Sequence, residues 1–160
     1  MKGELISLKD DNWLRRQKIA GQVVSSIHRK IFDMMKRSAS LFLTDLDTIA
    51  KDLILKGNCT PTFYKYKGFP STICTSLNKE LVHGFSNRKI KLEPGDIVKV
   101  DIGATFEGAI ADCAFTYIYE KAKQPDHLKL LISCQDALNS SISLLKPGVK
   151  IGEFKASWQD

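Results

Sequence analysis

The chain has 160 residues, a formal net charge of +6 and 43% hydrophobic residues, which suits a soluble globular protein with one real core. No apolar run is long enough to span a bilayer, and the N-terminus carries Glu4, Asp10 and Asp11 without the apolar segment of a secretory signal, so a cytoplasmic protein without a membrane partner is expected. Cys59, Cys74, Cys113 and Cys134 show neither CxxC spacing nor disulfide-like density and fit a reducing compartment.

Residues 1–12 read as a loose lead-in. From Trp13 to Lys36, apolar residues recur at Leu14, Ile19, Ala20, Val23, Val24, Ile27, Ile31, Met34 and Met35, the spacing of an amphipathic helix. His28 lies among Arg29 and Lys30 and is expected to be solvated. The groups Arg15-Arg16-Gln17-Lys18 and His28-Arg29-Lys30 read as a solvated helix face. The +6 charge is the only support for a ribosome-associated surface, and no specific nucleic-acid partner is expected.

A second helix is predicted to start at Thr44 as N-cap, with Asp45 and Asp47 in its positive first turn, and to end at Gly57. Leu46, Ile49, Ala50, Leu53 and Ile54 form its stripe. Thr60-Pro61-Thr62 and the cluster Phe63, Tyr64, Tyr66, Phe69 follow, either a β-rich segment with an aromatic face or the wall of a pocket. Ser71 to Leu77 is a strand candidate. Leu81-Val82-His83-Gly84 leads to a turn at Ser86-Asn87-Arg88, and Glu93-Pro94-Gly95-Asp96 is a further turn.

Asp96 to Gly103 and Ala109 to Tyr119 read as two strands, with Ala104 to Gly108 as a hairpin connection. A loop of Thr105 to Gly108 sets Ala104 across from Ala109 and Asp101 directly opposite Asp112. A two-residue loop at Phe106-Glu107 gives the same register, and any even loop puts both aspartates on one face. Like charges so placed repel, so one is protonated or a hard or borderline divalent ion lies between them. Spacing alone is equally compatible with two unrelated aspartates. Asp101, however, sits mid-strand among Val98, Val100 and Ile102, where Asp is disfavoured. After Tyr119, Pro125 opens a third helix with Leu128, Leu131, Ile132, Ala137, Leu138, Ile142 and Leu145 as its stripe, ended by Lys146-Pro147-Gly148. His127 in its first turn reads as structural or solvated. The plan of long helix, loop and second helix seen over 13–57 restarts at Pro125.

The segments Gly68-Phe69-Pro70-Ser71-Thr72-Ile73-Cys74-Thr75-Ser76-Leu77-Asn78, Leu81-Val82-His83-Gly84, Leu92-Glu93-Pro94-Gly95-Asp96-Ile97-Val98 and Val100-Asp101-Ile102-Gly103, followed by Gly108 and Asp112, resemble in order and spacing the bacterial (type I) methionine aminopeptidases. The resemblance runs from about Trp13 to about Phe154. It implies an α+β chain, the N-terminal portion of a pita-bread (creatinase/aminopeptidase) fold. In that fold an antiparallel sheet with flanking helices is built as two pseudo-symmetric halves. Residues 13–160 would then be the first half and the start of the second, an incomplete catalytic domain. It also implies a hydrolase acting on peptide or nascent-protein N-termini, with two divalent ions (Co, Mn, Fe or Zn) that generate hydroxide and polarise the scissile carbonyl. On this pattern Asp101 and Asp112 are metal ligands and His83 contacts substrate or intermediate. Tyr66, Phe69 and Cys74 receive the methionine side chain, and Phe63 stands at the rim.

The family's remaining ligands, one His and two Glu, are expected beyond residue 160, so the 160 residues alone are expected to be inactive. Where the family has Gly-Asp-Thr-Ser-Arg-Thr, this chain has Ala111-Asp112-Cys113-Ala114-Phe115-Thr116, losing a hydroxyl and a guanidinium near the second aspartate. Ser86 stands where a Pro is usual. These departures leave an alternative: a half-fold pseudoenzyme serving as a binding or interaction module.

Overall fold

The computed structural model describes residues 8–156. These divide into two compact units, one ending at Lys121 and one beginning at Ala122. The first unit carries helix α1 (Asp11–Arg37), helix α2 (Leu43–Lys56), strand β1 (Thr60–Pro61), a 3-10 turn (Tyr66–Gly68), strand β2 (Cys74–Leu77), strand β3 (Ile97–Phe106) and strand β4 (Ala109–Ile118). The second carries helices α3 (Pro125–Ser143) and α4 (Ile151–Ala156). None of the described helices is long and apolar enough to cross a membrane.

Helix α1 starts where the Asp10 carboxylate accepts the Trp13 N–H at 2.7 Å. Ala20, Val24, Ile27, Ile31 and Met35 recur every three or four residues on its buried face, and Lys36 and Arg37 sit at its negative end. His28 belongs to that face and is 6% exposed, which overturns its reading as a solvated residue. Its flanking Arg29 and Lys30 are exposed, but a helix turns 100° per residue, so basic neighbours in sequence do not set its environment.

Helix α2 begins two residues earlier than predicted. Phe42, not Thr44, is the N-cap, and its N–H is taken by the Asp45 carboxylate at 2.8 Å. The C-terminus closes as predicted at Gly57, though the left-handed residue is Asn58 (φ 54°). Asn58 N donates to Leu55 O and Cys59 N to Ile54 O, the paired bonds of a Schellman ending.

Strand β3 is the centre of an antiparallel sheet. β4 runs along one edge, and β2 and β1 share the other. Val98, Val100, Ile102 and Ala104 point to one face and meet α1 and α2 in the core with Leu46, Ala50, Ile54 and Tyr117. The odd-numbered β3 residues, Asp101 among them, take the opposite face.

The hairpin loop is tighter than the four-residue loop expected and lies one residue further on than the two-residue one. Phe106 pairs with Ala109, leaving only Glu107 and Gly108 as loop. Their φ values of 45° and 81° mark a type I′ turn, whose twist matches the flanking strands. This shifts the register by one pair: Asp101 faces Ala114 and Asp112 faces Gly103, so the aspartates are diagonal neighbours, not directly opposed. The parity argument holds and both carboxylates share a face.

The aromatic segment is no strand. Lys65 (φ 66°) and Lys67 (φ 46°) are left-handed, a geometry a ladder cannot accept, and the chain folds into turns. The Ser71–Leu77 strand shrinks to Cys74–Leu77, because the Thr72 and Ile73 N–H groups bond the Asp47 carboxylate (2.8 and 3.1 Å) instead of a neighbouring strand.

Ile31 is fully buried between the helices and the sheet. Ile31→Ala is expected to lower the unfolding free energy by about 2–5 kcal/mol in a urea titration. A loss below about 1 kcal/mol would contradict this core.

Candidate metal and substrate site

Asp101 on β3 and Asp112 on β4 both line a cleft of about 520 Å³ on the sheet face away from the helices. Their carboxyl groups share this face as diagonal neighbours. Burial first, then hydrogen bonding with Asp112 and the charge of Asp112, push Asp101 up to about 7, opposed by the Ile102 N–H. Lys99 lies on the same face, but its ammonium bonds the Asn78 carbonyl at 2.7 Å.

All the residues expected around the methionine pocket come to this cleft: Phe63, Tyr66, Phe69, Cys74 and His83. Cys74 pairs with Asp101 across β2 and β3, so its side chain lies beside the carboxylates. Burial, and then the charges of Asp101 and Asp112, push its thiol up to about 12. Cys74 therefore stays a neutral, soft surface at neutral pH and not a nucleophile. Phe63 packs over Gly103: a Cβ on that residue would stand 2.6 Å from Phe63 Cε1 and 2.9 Å from Thr62 Cβ. Glycine opposite Asp112 is thus what lets an aromatic ring reach the carboxylates. Phe69 meets Phe63 edge-on, with ring centroids 6.5 Å apart.

The His83 loop is held from two sides. Arg88 grips Glu80 with both guanidinium nitrogens and also donates to Thr75 O at 3.1 Å. Arg88 and the Leu77 N–H hold the Glu80 carboxyl at about 2, so the pair stays charged at all ordinary pH. Gly84 presses on β2 so closely that a Cβ would lie 2.1 Å from Thr75 O. Its N–H bonds Ser76 Oγ at 3.1 Å and its carbonyl accepts from Thr75 N at 2.9 Å. Asn78 (φ 50°) ends β2; its side chain accepts from Ile97 N at 2.9 Å and donates to Asp96 at 3.0 Å. The run Thr75-Ser76-Leu77-Asn78 with His83-Gly84 is therefore a mutual clamp.

Sequence reasoning missed three residues that matter here. Phe85 lines the cleft and packs edge-on against Phe69 at 5.5 Å; its only signal was an aromatic residue in an otherwise polar turn. Lys67 lines the cleft mouth. Asp47, taken for a helix-dipole residue, joins the two loops, since its carboxylate also accepts the Ser86 hydroxyl. The hydroxyl of Ser86 in turn reaches Ile73 O at 2.8 Å, so Ser86 replaces the usual Pro with a bonded contact.

A divalent cation fits this face as far as its donors go. Two carboxylates converge without a counter-charge of their own, and oxygen pairs suit hard or borderline ions. Among the described residues no group of three or more His, Cys, Asp or Glu is assembled to hold a metal.

Residues 15–160 match metallopeptidase family M24. The chain belongs to that family. Within it the chain groups with bacterial methionine aminopeptidases. It is 34% identical over 148 residues to the methionine aminopeptidase of Mycoplasma capricolum, covering 92% of this chain and 58% of that protein. With the enzyme of Clostridium acetobutylicum it shares 37% over 115 residues, 71% of this chain and 44% of the relative. The crystal structure of methionine aminopeptidase from Thermotoga maritima superposes with a TM-score of 0.90 at 27% identity, over 96% of this chain and 60% of that one. The Rickettsia prowazekii methionine aminopeptidase gives 0.89 at 26%, over 97% and 61%. An X-Pro aminopeptidase from Thermotoga maritima (TM-score 0.78, 15% identity) shares the fold alone. The M24 chain thus has the expected α+β, pita-bread architecture and covers between 41% and 61% of the length of these relatives.

The shifted ionisation of Asp101 has a testable sign. Its folded value of about 7 lies above the ordinary 3.8, so the folded state holds the proton more tightly. Its contribution to stability is complete below the ordinary value and is lost as pH rises through about 7. Asp101→Asn is therefore expected to raise the melting temperature of the metal-free protein relative to the parent at pH 8 by more than at pH 5. An equal effect at both values would contradict the carboxylate pairing.

Proposed function

We propose that this M24 protein acts in metal-dependent removal of the N-terminal methionine from peptides and nascent proteins. The convergence of Asp101 and Asp112 at the floor of an aromatic- and thiol-lined cleft carries this reading. Asp101 and Asp112 bind the cation pair, with Co, Mn, Fe or Zn as candidates. When bound, such ions supply Lewis acidity at the scissile carbonyl and an activated water at neutral pH.

The remaining steps belong to the chain's own side chains. Phe69, Cys74 and Tyr66 receive the methionine side chain; a flexible thioether packs well against aromatic edges and a neutral thiol. Phe63 closes the rim and keeps water from the carboxylates. His83, on the wall beside Asp101, hydrogen-bonds the substrate at the reacting carbonyl. Two carboxylates cannot fill two coordination spheres, so residues 1–160 by themselves are inactive, and ligands from outside these residues complete the centre. In this reading residues 13–160 are one half of the domain and the start of the next; the order of α3 and α4, echoing α1 and α2, supports it.

A second reading is a binding module that keeps the cleft without hydrolysis. The lack of a third donor among the described residues and the Cys113-Ala114-Phe115 run after Asp112 favour it. Methionine release from Met-Ala-Ser peptides separates the two. The endogenous protein, supplied with Mn, Co, Fe or Zn, is expected to release methionine. Asp101→Asn or Asp112→Asn should lower turnover beyond the about 10–100-fold typical of an outer-shell loss, and the 160 residues alone should give none. No release under any of these ions, or release unaffected by Asp101→Asn, would leave the binding module.

A further inference from the structure

We propose that His28 of α1 is a positioning residue for Asp112, fixing the β4 backbone beside the carboxylate from the helix side of the sheet. The inference rests on the reading of Asp101 and Asp112 as metal ligands.

The His28 ring is buried between α1 and β4, tilted against Phe115 with ring centroids 4.9 Å apart. Its Nε2 lies 2.9 Å from the Cys113 carbonyl oxygen, and a carbonyl only accepts, so Nε2 carries the proton. Its Nδ1 lies 2.8 Å from the Tyr117 hydroxyl, which therefore donates. That hydroxyl also lies 3.2 Å from the His28 main-chain carbonyl, so its one proton is shared between the ring and the main chain of the same residue. Burial lowers the imidazole from its ordinary value, outweighing the Cys113 bond that raises it, and keeps the neutral form. One tautomer satisfies both partners, and the ring bridges the helix to the peptide that follows Asp112.

In this stretch β4 is held by its ladder to β3, where Asp112 faces Gly103 and Ala114 faces Asp101, so no side chain stands directly opposite Asp112 on that ladder. Cys113-Ala114 offers no hydroxyl of its own. Among the described residues β4 pairs with β3 alone, and the other polar α1 contacts, from Arg16 and Gln17, reach Glu107 and Ile110 at the hairpin end. His28 is the buried anchor next to Asp112. Groups that orient ligands are worth about 10–100-fold in metal affinity.

The test is Mn²⁺ affinity of the full chain, read from the EPR signal of free Mn²⁺, beside the melting temperature without metal. His28→Leu, which keeps volume and loses both bonds, is expected to weaken Mn²⁺ binding about 10-fold. His28→Gln, which keeps a donor at the Nε2 position, should restore most of that loss. Ile31→Val, a core change on the same helix face, should lower the melting temperature without moving the affinity. Long-range ¹H–¹⁵N spectra of the metal-free protein should show the Nε2–H tautomer in the parent and keep it in Tyr117→Phe, where the Cys113 carbonyl still accepts that proton; these spectra also serve should His28→Leu fail to fold. The inference is overturned if His28→Leu binds Mn²⁺ like the parent, or if Ile31→Val weakens binding equally at equal loss of stability. An Nδ1–H tautomer in the parent would overturn it as well. If instead Asp112→Asn leaves the parent affinity unchanged, the metal reading fails, independently of His28.

Discussion

Two like charges set into one sheet face are the constraint on which this molecule depends. A type I′ turn at Glu107-Gly108 locks the hairpin so that Asp101 and Asp112 meet diagonally, and burial and the nearness of Asp112 hold the Asp101 carboxyl above its ordinary value. Neither charge has a cationic partner among the described side chains on that face, where Lys99 is turned to Asn78. A protein that keeps such a pair does so against its own stability. A cation that binds the folded state alone recovers the cost by mass action.

The rest of the first unit can be understood as support for that pair. The helices bury the even-numbered face of β3, which leaves the odd-numbered face free for chemistry. Gly103 gives up its side chain so that Phe63 can stand next to the carboxylates. Asp47 and the Glu80–Arg88 pair are polar clamps rather than reactive groups. One ties the two cleft-forming loops together, and the other fixes the turn that carries His83. Their placement off the cleft keeps them out of the chemistry while they set its geometry.

Much of this was legible in the sequence, for identifiable reasons. Helix α1 declared itself by period, and the shared face of the aspartates followed from strand parity, which survives a shift of register by a whole pair. The register itself did not, because Thr105 and Phe106 suit a strand as well as a loop; only the positive φ of Glu107 decides for the two-residue turn. The aromatic run Phe63 to Phe69 was ambiguous because composition does not reveal the left-handed Lys65 and Lys67. His28 was misjudged through its basic neighbours in sequence, though it lies four residues from Val24, squarely on the apolar stripe. Asp47 was assigned its local role, whereas its bonds span 25 and 39 residues of sequence, a distance no local rule sees. The site residues named from the resemblance all gather at one cleft; the residues that hold them there were the ones missed.

Where a cation binds is the most direct test of the carboxylate pair. Anomalous scattering from crystals grown with Mn²⁺ would locate it without reference to turnover. The account predicts density between the carboxylates of Asp101 and Asp112, at the floor of the cleft and lost in Asp101→Asn. A well-ordered ion elsewhere, with none between the two carboxylates, would contradict it.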